Sequence, residues 1–119
     1  MAKIAVVEDN TAVREELCGF IAKYAQESGH KLDVTPFADG SQIVEPYRPG
    51  FDIIFLDIEM PRLGGMPTAE RIRQLDPEVV LIFVTNMAQY AIRGYEVDAL
   101  DFVLKPVSYY QFSTKLERA

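Results

Sequence analysis

Residues 51–57 read FDIIFLD and run on into IEMPRLGG at 58–65. Four apolar residues in a row, Ile53 to Leu56, describe a strand covered on both faces, as the strands of a parallel sheet are. Asp57 stands where that run stops. A carboxylate at the end of a buried strand asks for a chemical reason.

The same pattern recurs on either side. KIAVV (3–7) is an apolar run that ends in Glu8 and Asp9, VVLIFV (79–84) ends in Thr85, and DFVLK (101–105) ends in Lys105. KLDVTPF (31–37) alternates, but Pro36 lacks the N–H a central strand needs, which places this strand at a sheet edge. Helical spacing separates the runs. Val13, Leu17, Phe20, Ile21 and Tyr24 recur every three or four residues, with Asn10 or Thr11 as N-cap and Gly29 as stop. A short helix is expected from Ser41 to the break at Pro46, and a longer one opens at Met66-Pro67 with Ala69, Ile72 and Leu75 on its inner face. A short helical piece is expected around Gln89 to Tyr95. Ser108 and Gln111 form a capping box for a final helix carrying Phe112 and Leu116.

Five βα units predict an α/β fold, a doubly wound, five-stranded parallel sheet with five helices joined by right-handed crossovers. In the flavodoxin-like strand order 2-1-3-4-5 the second strand lies at an edge, in agreement with Pro36. The 119 residues suit one domain, 1–119. An apolar content of 49% with 25% charged residues is ordinary for a globular protein, and no apolar run approaches the ~20 residues of a membrane span. MAKIAVVEDN is too short in its apolar part for a signal peptide, so a cytoplasmic protein is expected. A net charge of −6 argues against nucleic-acid binding by this domain. Cys18, the single cysteine, falls in a helical pattern and reads as a small core residue. His30 reads as a loop residue.

Ligands of doubly wound sheets bind at the carboxyl ends of the strands, where the order reverses between strands 1 and 3. Glu8, Asp9, Asp57, Thr85 and Lys105 all fall at that edge. Carboxylates packed together repel, and a hard divalent cation such as Mg2+ relieves the repulsion with oxygen ligands while keeping positions for water and a phosphate oxygen. A lysine and a hydroxyl beside them are what a phosphoryl group wants as charge builds on its oxygens. Taken one at a time, these residues are ordinary caps, turn formers and surface charges. Their joint placement points to phosphoryl transfer onto an aspartate.

VVEDN, IIFLDIEMP, FVTN and FVLKP together resemble the response-regulator receiver domains of two-component signalling, over essentially the whole chain. AQYAIRGYEVDALDFVLKPV (88–107) is more narrowly similar to receivers of the LytTR class, which usually carry a separate C-terminal DNA-binding domain; an output domain outside these residues is therefore expected to regulate transcription. The resemblance implies that Asp57 accepts a phosphoryl group from a sensor histidine kinase and also ligates Mg2+. It further implies that Asp9 binds the metal directly, Glu8 through water and Glu59 through its backbone carbonyl. Thr85 and Lys105 would contact the phosphoryl oxygens, and Phe102 would be the mobile switch aromatic, signalling by packing alone because it has no hydroxyl. Glu59 and Met87 would flank the acceptor. The peptide bond before Pro106 is expected to be cis. Such a protein is not an enzyme acting on a separate substrate, and catalyses only its own aspartyl phosphorylation and dephosphorylation. A homodimer through the fourth helix, fifth strand and fifth helix is expected, with charges such as Arg93, Asp98, Asp101, Lys115 and Arg118 pairing across a two-fold axis.

Three alternatives compete. Asp57-Ile58-Glu59 has the acid spacing of a haloacid-dehalogenase-like phosphatase, but those enzymes carry it on their first strand. A pseudo-receiver would use the fold only for protein contacts, yet all the acids are present here. An FMN binder would want a loop richer in glycine and hydroxyls than EDNTAV. Met60, Met66 and Met87 read as gap fillers. Tyr90, Tyr95, Tyr109 and Tyr110 read equally as partner-facing or half-buried.

Overall fold

A computed structural model describes residues 2–85 and 101–118. Its five parallel strands are β1 (Ala2–Val7), β2 (Leu32–Phe37), β3 (Ile53–Asp57), β4 (Val80–Thr85) and β5 (Asp101–Leu104). They lie in the order β2-β1-β3-β4-β5, as the flavodoxin-like reading predicts. Four helices are seen among the described residues: α1 (Thr11–Ser28), α2 (Gly40–Val44), α3 (Gly65–Leu75) and α4 (Tyr109–Arg118). The fifth helix expected from the sequence, around Gln89 to Tyr95, lies outside the described residues, as do Arg93, Asp98 and Met87.

The two faces of the sheet bury separate clusters, because alternate side chains of a strand point to opposite sides. Ile4, Val6, Ile53, Phe55, Ile82, Val84 and Val103 face Leu17 and Ile21 of α1 and Phe112 and Leu116 of α4. Phe55 stacks on Phe112 with ring centroids 4.6 Å apart, a contact worth roughly 0.5–1.5 kcal/mol beyond its buried area. On the other face Ala5, Val7, Ile54, Leu56, Leu81 and Phe83 meet Ile43, Met66, Ala69 and Ile72 of α2 and α3.

The ends of the helices follow from the chemistry of their caps. Asn10 accepts the Val13 N–H and so caps α1, while Gly29 closes it with a left-handed φ of 76°. Ser108 Oγ accepts the Gln111 N–H at the start of α4. Two helices begin earlier than the sequence suggests. α2 starts at Gly40 because Asp39 caps it through the Ser41 N–H, and α3 starts at Gly65 rather than at Met66. β2 is an edge strand, so Pro36 costs it no central ladder bond.

Candidate functional site

The strand alternation that builds the core also aims the polar residues. Glu8 continues the Ile4, Val6 side of β1, Asp57 the Ile53, Phe55 side of β3, and Lys105 the Val103 side of β5, so all three extend the face that packs on α1 and α4. β1 and β3 are direct neighbours, with Val7 opposite Leu56. The next residue of each strand or strand end is an acid, and the two carboxylates are brought together by register alone.

Ligand oxygens of Glu8, Asp9 and Asp57 lie within 4.8 Å of one another. Glu8 is 1% exposed and Asp57 7%, whereas Asp9 is open to solvent. The Lys105 ammonium enters this group from β5, 2.7 Å from Glu8 Oε1 and 3.3 Å from Asp57 Oδ1. Its backbone is held too, since the Lys105 N–H donates to the Thr85 carbonyl at 2.8 Å and the bond to Pro106 is cis as expected.

Burial and the Asp57 charge push the Glu8 carboxyl up to about 7 against the lowering effect of Lys105. Burial alone would lower the Lys105 ammonium, but its bond to Glu8 and the Asp57 charge outweigh that and leave it raised. Glu8 Oε2 accepts the Asn10 N–H at 3.2 Å. Oε1 is fully enclosed and makes no hydrogen bond of good geometry, its close neighbour being the lysine. An enclosed acid oxygen beside two further carboxylates is a donor set suited to a hard cation such as Mg2+. Arg14 braces the turn that carries these acids, donating to the Glu8 carbonyl at 2.7 Å.

Thr85 is buried at the end of β4, one residue beyond the register partner of Asp57. Phe102 is partly buried and packs against the α2, α3 cluster, on the opposite face of the sheet from Lys105. Glu59 is exposed, and its carboxylate is not among the clustered acids.

After Asp57 the chain turns back on itself. Asp57 Oδ1 accepts the Ile58 N–H at 2.8 Å, and the Gly65 N–H donates to the Ile58 carbonyl at 2.8 Å. A Cβ on Gly65 would fall 2.2 Å from the Asp57 carbonyl oxygen, so only glycine fits there.

Residues 4–117 match the family model of the response regulator receiver domain. The chain belongs to this family. The receiver is 32% identical to the sensory transduction protein LytT of Oceanobacillus iheyensis, over 97% of this chain and 46% of that protein. To the transcriptional regulatory protein BtsR of Escherichia coli it is 33% identical, over 99% of this chain and 48% of the other. The chain thus spans about half the length of these relatives. Among solved structures it resembles the non-phosphorylated HemR receiver domain from Leptospira biflexa, with a TM-score of 0.85 and 30% identity over 99% of this chain and 93% of that one. The likeness to LytT and BtsR agrees with the LytTR-class features of the sequence. No helix among the described residues is long and apolar enough to cross a membrane.

One contributor escaped the sequence reading. Asp39 is 6% exposed and accepts N–H groups from Ser41, Arg62 and Leu63, the last two belonging to the loop that follows Asp57. The Asp-Gly pair after β2 signals a cap. Nothing local signals partners more than 20 residues away.

Proposed function

We propose that the receiver, as the single domain 1–119, accepts a phosphoryl group on Asp57 from a sensor histidine kinase. The observation that carries this reading is the Glu8, Asp9, Asp57 carboxylate group with the Lys105 ammonium 3.3 Å from Asp57 Oδ1. Asp9 and Asp57 would hold Mg2+ directly, Glu8 through water and Glu59 through its carbonyl. When bound, the cation supplies positive charge to the transferring phosphoryl oxygens.

An Asp57 carboxylate oxygen forms the new O–P bond as the P–N bond of the phosphohistidine breaks, its electron pair leaving with the imidazole. Lys105 neutralises one phosphoryl oxygen, and the Thr85 hydroxyl donates to another. The domain thereby catalyses its own modification. Hydrolysis of the acyl phosphate later restores the Asp57 carboxylate and releases inorganic phosphate, with Glu59 and Met87 as the residues expected to tune access of water. Drawing Thr85 toward the phosphoryl group alters the packing of Phe102, which passes the change to a partner face. Leu104 and Tyr110, 42% and 78% exposed, support such a face beside β5 and α4, and its partner is a second copy of the chain. The site of action is cytoplasmic, and the output is transcriptional regulation through a further domain of the longer protein.

Intact mass after treatment with acetyl phosphate tests the reading. The wild type should gain one phosphoryl group only when Mg2+ is present, and Asp57→Asn should gain none. Equal labelling of that variant would remove Asp57 from the role.

A further inference from the structure

The carboxylate of Asp39 does more than an N-cap requires. A cap needs one side-chain oxygen on one N–H near the start of its helix. Asp39 Oδ2 does accept the Ser41 N–H at 2.9 Å. The same oxygen takes the Leu63 N–H at 3.0 Å, and Oδ1 takes the Arg62 N–H at 3.0 Å. These partners lie 23 and 24 residues away, on the loop that leaves Asp57. Bonds from Ser41, Arg62 and Leu63 outweigh the cost of burial and keep the carboxyl below its ordinary range, so the clamp is ionised at neutral pH.

The neighbouring residue closes the same contact. A Cβ on Gly40 would fall 1.8 Å from Thr68 Oγ1 and 2.5 Å from the Leu63 carbonyl oxygen, so the turn after β2 lies directly against the loop and the first turns of α3. On its inner side that loop is tied by the Gly65 N–H to the Ile58 carbonyl. The segment from Ile58 to Gly65 is therefore fixed at two places, and Glu59, Met60 and Pro61 form the arc between them.

We infer that Asp39 is a positioning residue for the phosphoacceptor loop, holding the Glu59 arc against the carboxylates of Glu8, Asp9 and Asp57. The inference rests on the receiver reading above. It places the backbone ligand of the site under the control of a buried side chain that touches none of the reacting atoms. Loss of such an outer support typically weakens a metal site by 10-fold or more.

Asp39→Asn separates the two duties of this carboxylate. Asparagine is as good an N-cap as aspartate, but its NH2 meets a loop N–H that needs an acceptor. Asp39→Ser keeps the cap with a side chain too short to serve the loop, and is read if the first variant does not fold. Tyr47→Phe is the control: it deletes the 2.7 Å bond from Tyr47 to Asp76, away from the loop.

Each protein is titrated with Mg2+ by calorimetry, its Arg62 and Leu63 amides are followed by hydrogen exchange, and its phosphoryl uptake is timed with acetyl phosphate. The Asp39 variants should bind Mg2+ about tenfold more weakly, lose protection at both amides and take up phosphoryl more slowly, in part recovered by excess metal. Tyr47→Phe should lower the melting temperature and leave all three readings unchanged. Wild-type affinity and uptake in the Asp39 variants, with the wild type itself phosphorylated, overturn this inference alone. A wild type that takes up no phosphoryl group overturns it together with the receiver reading.

Discussion

Lys105 Nζ stands closer to Glu8 Oε1, at 2.7 Å, than to Asp57 Oδ1, at 3.3 Å. The ammonium neutralises the two most buried acids of the group at once, and it occupies the electrostatic place that a divalent cation would claim. In the proposed mechanism lysine and metal would therefore compete for the charge of Glu8 as well as collaborate on the phosphoryl group. Lys105→Met is expected to tighten Mg2+ binding by about tenfold, since roughly 1.4 kcal/mol of mutual carboxylate repulsion would then be relieved by metal alone. The same change should slow phosphoryl uptake and cost about 1–3 kcal/mol of stability without metal. Calorimetry and urea unfolding check the two halves. Unchanged or weaker Mg2+ binding would refute the competition.

Gly65 packs its Cα against the backbone of the residues it follows in space. The added Cβ of Gly65→Ala would lie 2.2 Å from the Asp57 carbonyl oxygen and 2.8 Å from Ile58 Cα, and neither backbone atom can yield without moving the acceptor. The expected cost is about 1–3 kcal/mol, with phosphoryl uptake falling by more than the lost stability explains. Urea unfolding together with uptake by the folded fraction measures both. A variant as stable as wild type would show that the loop can relax there.

Much of this fold was legible because local chemistry and register agree. Pro36 announced an edge strand, Asn10 and Ser108 announced helix starts, and four apolar runs ending in polar residues announced the carboxyl edge. Alternation also carried more than was drawn from it. Counting by twos from Ile4 and Ile53 puts Glu8 and Asp57 on one face, and from Val103 puts Lys105 beside them. What the chain could not reveal locally is how deeply each group is buried and with which distant partner. Glu8 reads as a helix-start acid, yet it is enclosed and paired with a lysine 97 positions away. Tyr47 and Asp76 meet only because α2 and α3 lie side by side. Tyr109 turns toward α1, where it donates to Glu27 and lies under Lys23, and so leaves Tyr110 as the exposed tyrosine of that pair.

Asp39 also gives stability an acid limb. Its folded pKa lies below the ordinary value of 3.8, so the unfolded chain takes up a proton first as pH falls. The stability that its ionised form contributes is present above the unfolded value and is lost as pH drops through the folded one. Urea unfolding from pH 6 to 3 should therefore show wild type and Asp39→Asn converging below about pH 4. A stability gap that stays constant down to pH 3 would mean that the ionised carboxylate contributes nothing beyond its shape.

The last prediction concerns the face beside β5 and α4. Leu104 and Tyr110 are exposed there, while Phe102 is partly buried and packs against the α2, α3 cluster. In the proposed mechanism Phe102, having no hydroxyl, acts only by changing how much apolar surface it covers or uncovers, which would alter the apolar character of this face. An isologous contact would use each exposed residue twice, and burying the 42% of each Leu104 that is still exposed would supply roughly 0.6–1.3 kcal/mol per side chain. Charges such as the half-buried Lys115 would mainly set register, at ~0–1 kcal/mol per pair. Sedimentation should show association strengthened by a beryllofluoride mimic of the phosphoryl group in wild type, and little association in Leu104→Asp with or without it. Leu104→Asp should still gain one phosphoryl group, because the residue lies on the opposite side of the strand from Lys105. Association that ignores the mimic, or that survives Leu104→Asp, would place the dimer contact elsewhere on the domain.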